Sequence, residues 1–307
     1  MNYTPEFMTG FDGKVLTLTD VNRAIDNKNI LESLVISCDG DLNLELKMGE
    51  GIIGKIAFDE VEYRFDGAST KEIAALSKVG RHVQYIPTAI NQNEDGTYLV
   101  TCSRKLAQKE CYDNYISKLV PGDIIDAKIT SIENYGVFCD IGCGIIALLP
   151  TKLISVTHII NPKDILDVSA NLKVVVRKVK EDGKIELTHR ELLGTWKEEA
   201  SNLSVGKTVV GTVLSVEDYG TFVRLSQNLS GLASPTPGVE LNPGDMVSVH
   251  INSIYEDTLK VKLSIVSKIG SETEKLKFKY YTTSGHIDEW VYSDGKKSIK
   301  TDFNNID

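Results

Sequence analysis

Two short phrases hold the residues best suited to chemistry. Tyr135-Gly136-Val137-Phe138 and Tyr219-Gly220-Thr221-Phe222 each set two aromatic rings around a glycine, and their tyrosines lie 84 residues apart. Flat π faces carried on a strand receive other flat rings, nucleobases above all, and each stacked base is worth about 1–3 kcal/mol. The copies extend back to Glu133 and Glu217. A period of that length is too long for a solenoid unit and fits a small β domain.

The elements that must position these rings are strands. Alternation sends Val137 and Cys139 inward and Phe138 outward; it sends Val223 and Leu225 inward and Phe222 and Arg224 outward. The glycines permit a bend or bulge that brings Tyr135 and Tyr219 to the same outer face. Further along, Val174 and Val176 face in, leaving Val175 and Arg177 out, while Ile185 and Leu187 face in, leaving Lys184 and Glu186 out. In the second copy Val247, Val249 and Ile251 face in against Ser248, His250 and Asn252, and Val261 and Leu263 against Lys260 and Lys262. Lys128, Arg177, Lys184, Arg224 and Lys260, with His250, are the candidates to meet phosphates or base edges.

Period-two segments predict strands at 124–132, 137–141, 145–149, 172–179 and 184–188, with Glu181-Asp182-Gly183 as a hairpin turn. The same order recurs at 208–216, 221–225, 231–233, 246–254 and 259–265, with a shorter middle connection: Tyr219 to Lys260 spans 41 residues, against 49 from Tyr135 to Lys184. Five strands with an excursion after the third describe a five-stranded OB-type barrel. Before them lie strand-like segments at 34–37, 42–46, 51–56, 83–89 and 98–101. Helices are expected at 19–29, capped by Thr19, at 105–118, and at 191–203 around Trp196. The tail predicts a hairpin from 276–282 and 289–292, followed by a polar end that frays.

Composition narrows the function. The net charge of −9 is uneven: −6 over residues 1–114, 0 over 115–194, −2 over 195–270 and −1 over 271–307. The acidity lies outside the aromatic copies, so nucleic-acid binding there is modest and salt-sensitive rather than excluded. No apolar run is long enough to span a membrane and the first residues lack a signal-peptide pattern, which predicts a cytoplasmic protein. Five cysteines without secretory features argue against a disulfide framework. Cys139 and Cys143 do not have zinc-knuckle spacing, and alternation makes Cys139 a core residue, so no metal or cofactor is expected. The five histidines, His82, His158, His189, His250 and His286, are scattered among units, and no phosphate-cradling glycine loop is present. An enzyme is not expected.

At these residues the chain resembles the S1 RNA-binding domain family. The resemblance rests on Tyr135-Gly136-Val137-Phe138 with Lys184-Ile185-Glu186-Leu187-Thr188, and on Tyr219-Gly220-Thr221-Phe222 with Gly231-Leu232 and Lys260-Val261-Lys262-Leu263-Ser264. It covers 113–268 well, and 30–108 looks like a degenerate third copy, with Gly51-Ile52-Ile53-Gly54 as its third strand and Ser103-Arg104-Lys105 after its last. The three-copy layout is similar to small S1-like proteins of Gram-positive bacteria. The resemblance implies an all-β fold with short linking helices, built of tandem S1-type OB barrels. The expected divisions are a degenerate domain at 1–112, S1 domains at 113–193 and 194–269, and a tail at 270–307.

It also implies single-stranded RNA, mRNA in particular, as the partner, in translation or RNA handling. The chain departs from the family where many members have a histidine after the third strand: Pro150 and Ser234 stand there, and Lys184 and Lys260 replace the usual arginine. The first copy lacks the aromatic phrase, and its outward candidates include Asp41 and Asn43. It is expected not to hold RNA and to dock on the ribosome, on another protein or on its sister domains. An alternative function is a protein-interaction scaffold on the ribosome or the transcription machinery with little RNA binding.

Overall fold

A computed structural model describes the chain except for residues 1–2, 9–14, 66, 181–182, 236–237, 239, 272–274 and 307. The expected turn residues Glu181 and Asp182 therefore lie outside the described residues. Helix α1 (Leu18–Asn27) is capped by Thr17, whose side chain accepts from the Asp20 N–H while the Asp20 carboxylate accepts from the Thr17 N–H. Thr17 takes the cap in place of the expected Thr19 because only it has an acid three residues on to close the box.

The first barrel follows: β1 (Leu31–Cys38), β2 (Leu44–Gly49), β3 (Ile52–Ile56), the short α2 (Glu72–Leu76), β4 (His82–Gln92) and β5 (Tyr98–Ser103). Helix α3 (Arg104–Asn114) leads to the second: β6 (Ile124–Glu133), β7 (Gly136–Asp140), β8 (Ile146–Pro150), β9 (Asn171–Val179) and β10 (Ile185–Thr188). Helix α4 (Trp196–Ala200) leads to the third: β11 (Thr208–Glu217), β12 (Gly220–Arg224), β13 (Ser230–Ala233), β14 (Asp245–Tyr255) and β15 (Lys260–Ser271). Each five-strand sheet closes in one order: the first strand pairs with the second and fourth, and the third lies parallel to the fifth. Closure leaves no open sheet edge. The predicted inward set fills the cores: Val137, Cys139, Val174, Val176, Ile185 and Leu187 in the second barrel, and Val223, Val247, Val249, Ile251, Val261 and Leu263 in the third, are buried.

The tail departs from expectation. Residues 276–282 form no strand; the hairpin is β16 (Glu289–Ser293) with β17 (Ile299–Asp302). Phe303 is buried against Val175 and Leu192, so Val175 faces out of its barrel and is covered, and the polar end is docked rather than frayed. Tyr280 reaches the second barrel. Its hydroxyl accepts from the Lys173 N–H and lies 3.2 Å from Nε2 of the fully buried His189, whose Nδ1 lies 2.9 Å from the Ile154 carbonyl. The carbonyl contact places the His189 proton on Nδ1 and leaves Nε2 to accept from Tyr280. Burial holds the His189 pKa down at about 4.

The barrels are locked together at two places. Between the first and second, the buried Arg104 pairs with Glu6 at 2.8 Å, and the Glu6 N–H donates to Asp140 at 2.7 Å. Burial and the neighbouring Glu6 charge push the Asp140 carboxyl up to about 7. Burial opposes ionisation of Glu6 as well, but the Arg104 and Lys78 charges outweigh it and keep its pKa below the usual range. Between the second and third, Asn228 on the β12–β13 turn is fully buried. Its Oδ1 accepts from the Val156 N–H at 2.7 Å, and its Nδ2 donates to the carbonyls of Arg190 and Gly194 at 3.2 and 3.0 Å. Gln227 beside it donates to Leu193 and Lys279 carbonyls and accepts from the Lys279 N–H. No helix among the described residues is long and apolar enough to cross a membrane.

Candidate nucleic-acid interface

The doubled phrase builds the same object twice. Tyr135 is 63% exposed and meets the half-buried Phe138 edge to face, with centroids 6.1 Å apart at 87°. Tyr219 is 65% exposed and meets Phe222 at 6.2 Å and 85°. Such T-shaped pairs lie within the favoured range of ring spacing, and each tyrosine remains largely exposed. The bulge lies in the preceding strand rather than at the glycine: pairing slips between Ile129 and Ser131, opposite Phe138, and between Val213 and Ser215, opposite Phe222. The glycines have another task. A Cβ on Gly136 would sit 2.8 Å from the Leu149 carbonyl oxygen, and one on Gly220 would sit 2.4 Å from that of Ala233. They let the third strand close on the aromatic strand.

Register carries each ring across the sheet. Phe138 pairs with Leu148, and Leu148 with Glu186; Phe222 pairs with Leu232, and Leu232 with Lys262. The two rows thus differ in charge at their far end. Glu186 is ion-paired with Arg177. Lys262 is exposed and lies over the Tyr255 ring at 5.5 Å from its centroid. Lys262 and Tyr255 are additions to the predicted site; alternation already turned Lys262 outward, but nothing in the pattern placed a ring beneath it. In the first barrel the equivalent row reads Glu45, Lys55 and Thr101, with Ser37 opposite Glu45 at the same slipped position. An acid thus stands where the other barrels have phenylalanine.

The predicted cations divide. Lys184 and Lys260 are exposed on the face, and His250 is half-buried beside Thr208, 3.3 Å away. Lys128 is half-buried, bonded to the Phe7 carbonyl and over the Phe7 ring, and burial lowers its pKa. Arg177 answers Glu186 rather than standing open to phosphate. Arg224 departs most from the outward reading: it is 7% exposed, lining the cleft between the second and third barrels with Ser155, Thr157 and Leu276. Alternation within one strand is blind to a neighbouring barrel that covers its outer side. Arg104, in the first unit, is likewise consumed by Glu6.

These barrels can be set against known proteins. Residues 118–190 match the S1 RNA binding domain. The match spans the second barrel from β6 to β10. Over a longer stretch the chain is homologous to ribosomal proteins: it is 24% identical over 266 residues to the small ribosomal subunit protein bS1 of Staphylococcus saprophyticus, covering 81% of this chain and 67% of that one. Against bS1 of Staphylococcus haemolyticus it is 26% identical over 268 residues, covering 81% and 68%. Among solved structures, a multidomain protein with nucleic acid binding domains from Streptococcus pneumoniae aligns at 14% identity over 78% of this chain and 73% of that chain, with a TM-score of 0.24. The S1 assignment agrees with the closed OB-type barrel and with the aromatic phrase on its second strand.

Proposed function

We propose that this chain is a non-enzymatic protein that binds single-stranded RNA on the outer faces of the second and third barrels, in translation or RNA handling in the cytoplasm, with mRNA and the ribosome as its partners. The observation that carries this reading is the recurrence of one aromatic pair, at one register and nearly one geometry, on two barrels. Bases stack on Tyr135, Phe138, Tyr219 and Phe222. Lys184, Lys260 and Lys262 meet phosphates, and His250 on β14 adds a donor to the third barrel's face. The S1 match and the bS1 relatives support the ligand class. The third barrel, with a lysine where the second has an ion-paired glutamate, is the stronger of the two sites.

The test is a titration of fluorescein-labelled single-stranded RNA against wild type and Phe138→Ala/Phe222→Ala, read by anisotropy. Removing two stacking rings at about 1–3 kcal/mol each weakens binding at least tenfold. Wild-type affinity itself falls as salt rises, through counterion release. Equal affinity of the two proteins would refute the proposed faces. Glu45 in the first barrel favours a second role there, protein docking, and part of that role is met within the chain by its contact with the second barrel through Glu6, Arg104 and Asp140.

A further inference from the structure

The second barrel's aromatic face is not open on all sides. A cleft of about 450 Å³ runs along it, lined on one side by Phe138, Leu148, Lys180 and Lys184 and on the other by Tyr63 and Phe65 of the first unit. That volume lies within the range of small-ligand sites. Phe65 is 43% exposed, unlike the buried rings that fill cores. It is propped from behind: its ring lies 4.5 Å from Tyr112 and meets Tyr63 edge to face at 5.1 Å. The prop fixes the ring while part of its surface stays in solvent. The charges inside the cleft are largely answered, Glu62 by Arg64 at 3.9 Å and Glu186 by Arg177, and Lys180 and Lys184 are exposed at its rim. A rigid ring beside two exposed lysines, continuous with the face that carries Phe138, matches the chemistry of an unstacked nucleotide.

Resting on the RNA reading above, we infer that the first unit, although it lacks the aromatic phrase, supplies a second wall to the S1 domain's RNA site, with Phe65 as the ring that stacks a base next to the one held by Phe138. The first barrel then has a function its own acidic face conceals: it narrows a shallow, one-sided platform into a two-walled cleft. A strand following the Phe138 face enters this cleft and leaves past Lys180.

The experiment uses the full chain carrying Tyr219→Ala/Phe222→Ala, which silences the stronger third-barrel face and serves as the wild type of this series, and a fluorescein-labelled oligouridylate, with Phe65→Ala, Phe65→Leu and Phe65→Trp measured beside Phe138→Ala. Stacking predicts that Phe65→Ala and Phe65→Leu both weaken binding about tenfold, because leucine restores apolar volume but not a π face. Phe65→Trp binds at least as tightly as wild type, and RNA quenches its added indole, distinguishable because Trp196 and Trp290 are 4% and 7% exposed. Wild-type affinity in Phe65→Leu with loss only in Phe65→Ala would reduce Phe65 to packing and overturn the inference. So would unchanged affinity in both while Phe138→Ala weakens binding, an outcome that leaves the RNA reading intact. Unchanged affinity in all of them, Phe138→Ala included, would instead sink the RNA reading for this barrel. If Phe65→Ala fails to fold, the indole of Phe65→Trp decides: an emission that RNA leaves unchanged overturns the inference.

Discussion

Replacing Asn228 by alanine isolates the lock between the second and third barrels. The amide sits in a fully buried site and serves four groups: the Val156 N–H and the Ser155 hydroxyl on its oxygen, and the Arg190 and Gly194 carbonyls on its nitrogen. Two of these keep partners without it. Ser155 has one proton to give, and its shorter contact, 2.8 Å to the Gln227 carbonyl, takes it. The Arg190 carbonyl still accepts from the Leu193 N–H. The Val156 N–H and the Gly194 carbonyl are left without a protein partner. Each such buried group costs about 1–3 kcal/mol, so Asn228→Ala destabilises the pair of barrels by about 2–6 kcal/mol, the low end applying if a water enters the space. Asn228→Asp does no better, because a carboxylate can serve Val156 but faces two carbonyl oxygens. Urea unfolding followed by the fluorescence of Trp196 and Trp290, both packed in the third barrel's core, reads the change. A loss below about 0.5 kcal/mol, within the scatter of surface substitutions, would show that the amide network is not what holds these barrels together.

Two further outcomes follow from geometry already described. His189 is neutral when folded, with its pKa lowered to about 4 by burial, and ordinary when unfolded. The unfolded chain therefore binds more protons between those values, so this group's stability is present above about pH 6.5 and is lost as pH falls toward 4; His189→Asn flattens that part of a denaturation-midpoint profile, and an unchanged slope would contradict the buried neutral ring. Gly220→Ala forces a methyl to within 2.4 Å of the Ala233 carbonyl and lowers stability by about 1–3 kcal/mol, seen as a fall in thermal midpoint; an unshifted midpoint would mean that β12 and β13 do not approach as closely as described.

What the sequence made legible was whatever depends on one strand at a time. Val137 and Cys139 turned inward and Phe138 outward because a half-buried strand has no other way to hide its apolar set, and the five-strand order followed from turns and spacing. What stayed hidden depends on what lies over the barrels. Arg224 and Val175 do leave their barrel cores, yet a neighbouring barrel and the Phe303 segment cover them, and alternation carries no signal for that. Phe65 sits in a segment with no periodicity, so its place beside Phe138 is a product of docking alone. Thr17 rather than Thr19 was recoverable, since Asp20 three residues on marks the box. The extent of the tail was not: Leu276, Phe278 and Tyr280 alternate as a strand would but dock without pairing, and Phe303 is an isolated apolar residue in a polar stretch.

The Gln227–Asn228 joint has a thermodynamic consequence for any strand that touches both aromatic faces. Because the barrels are held by buried hydrogen bonds rather than by a flexible tether, the second face is presented to a bound strand at one fixed separation. Once one face is occupied, engagement of the other is intramolecular and proceeds at a high local concentration, but only for a strand long enough to bridge the gap. Affinity should then rise in a step with oligonucleotide length, and two individually weak faces would act as a ruler.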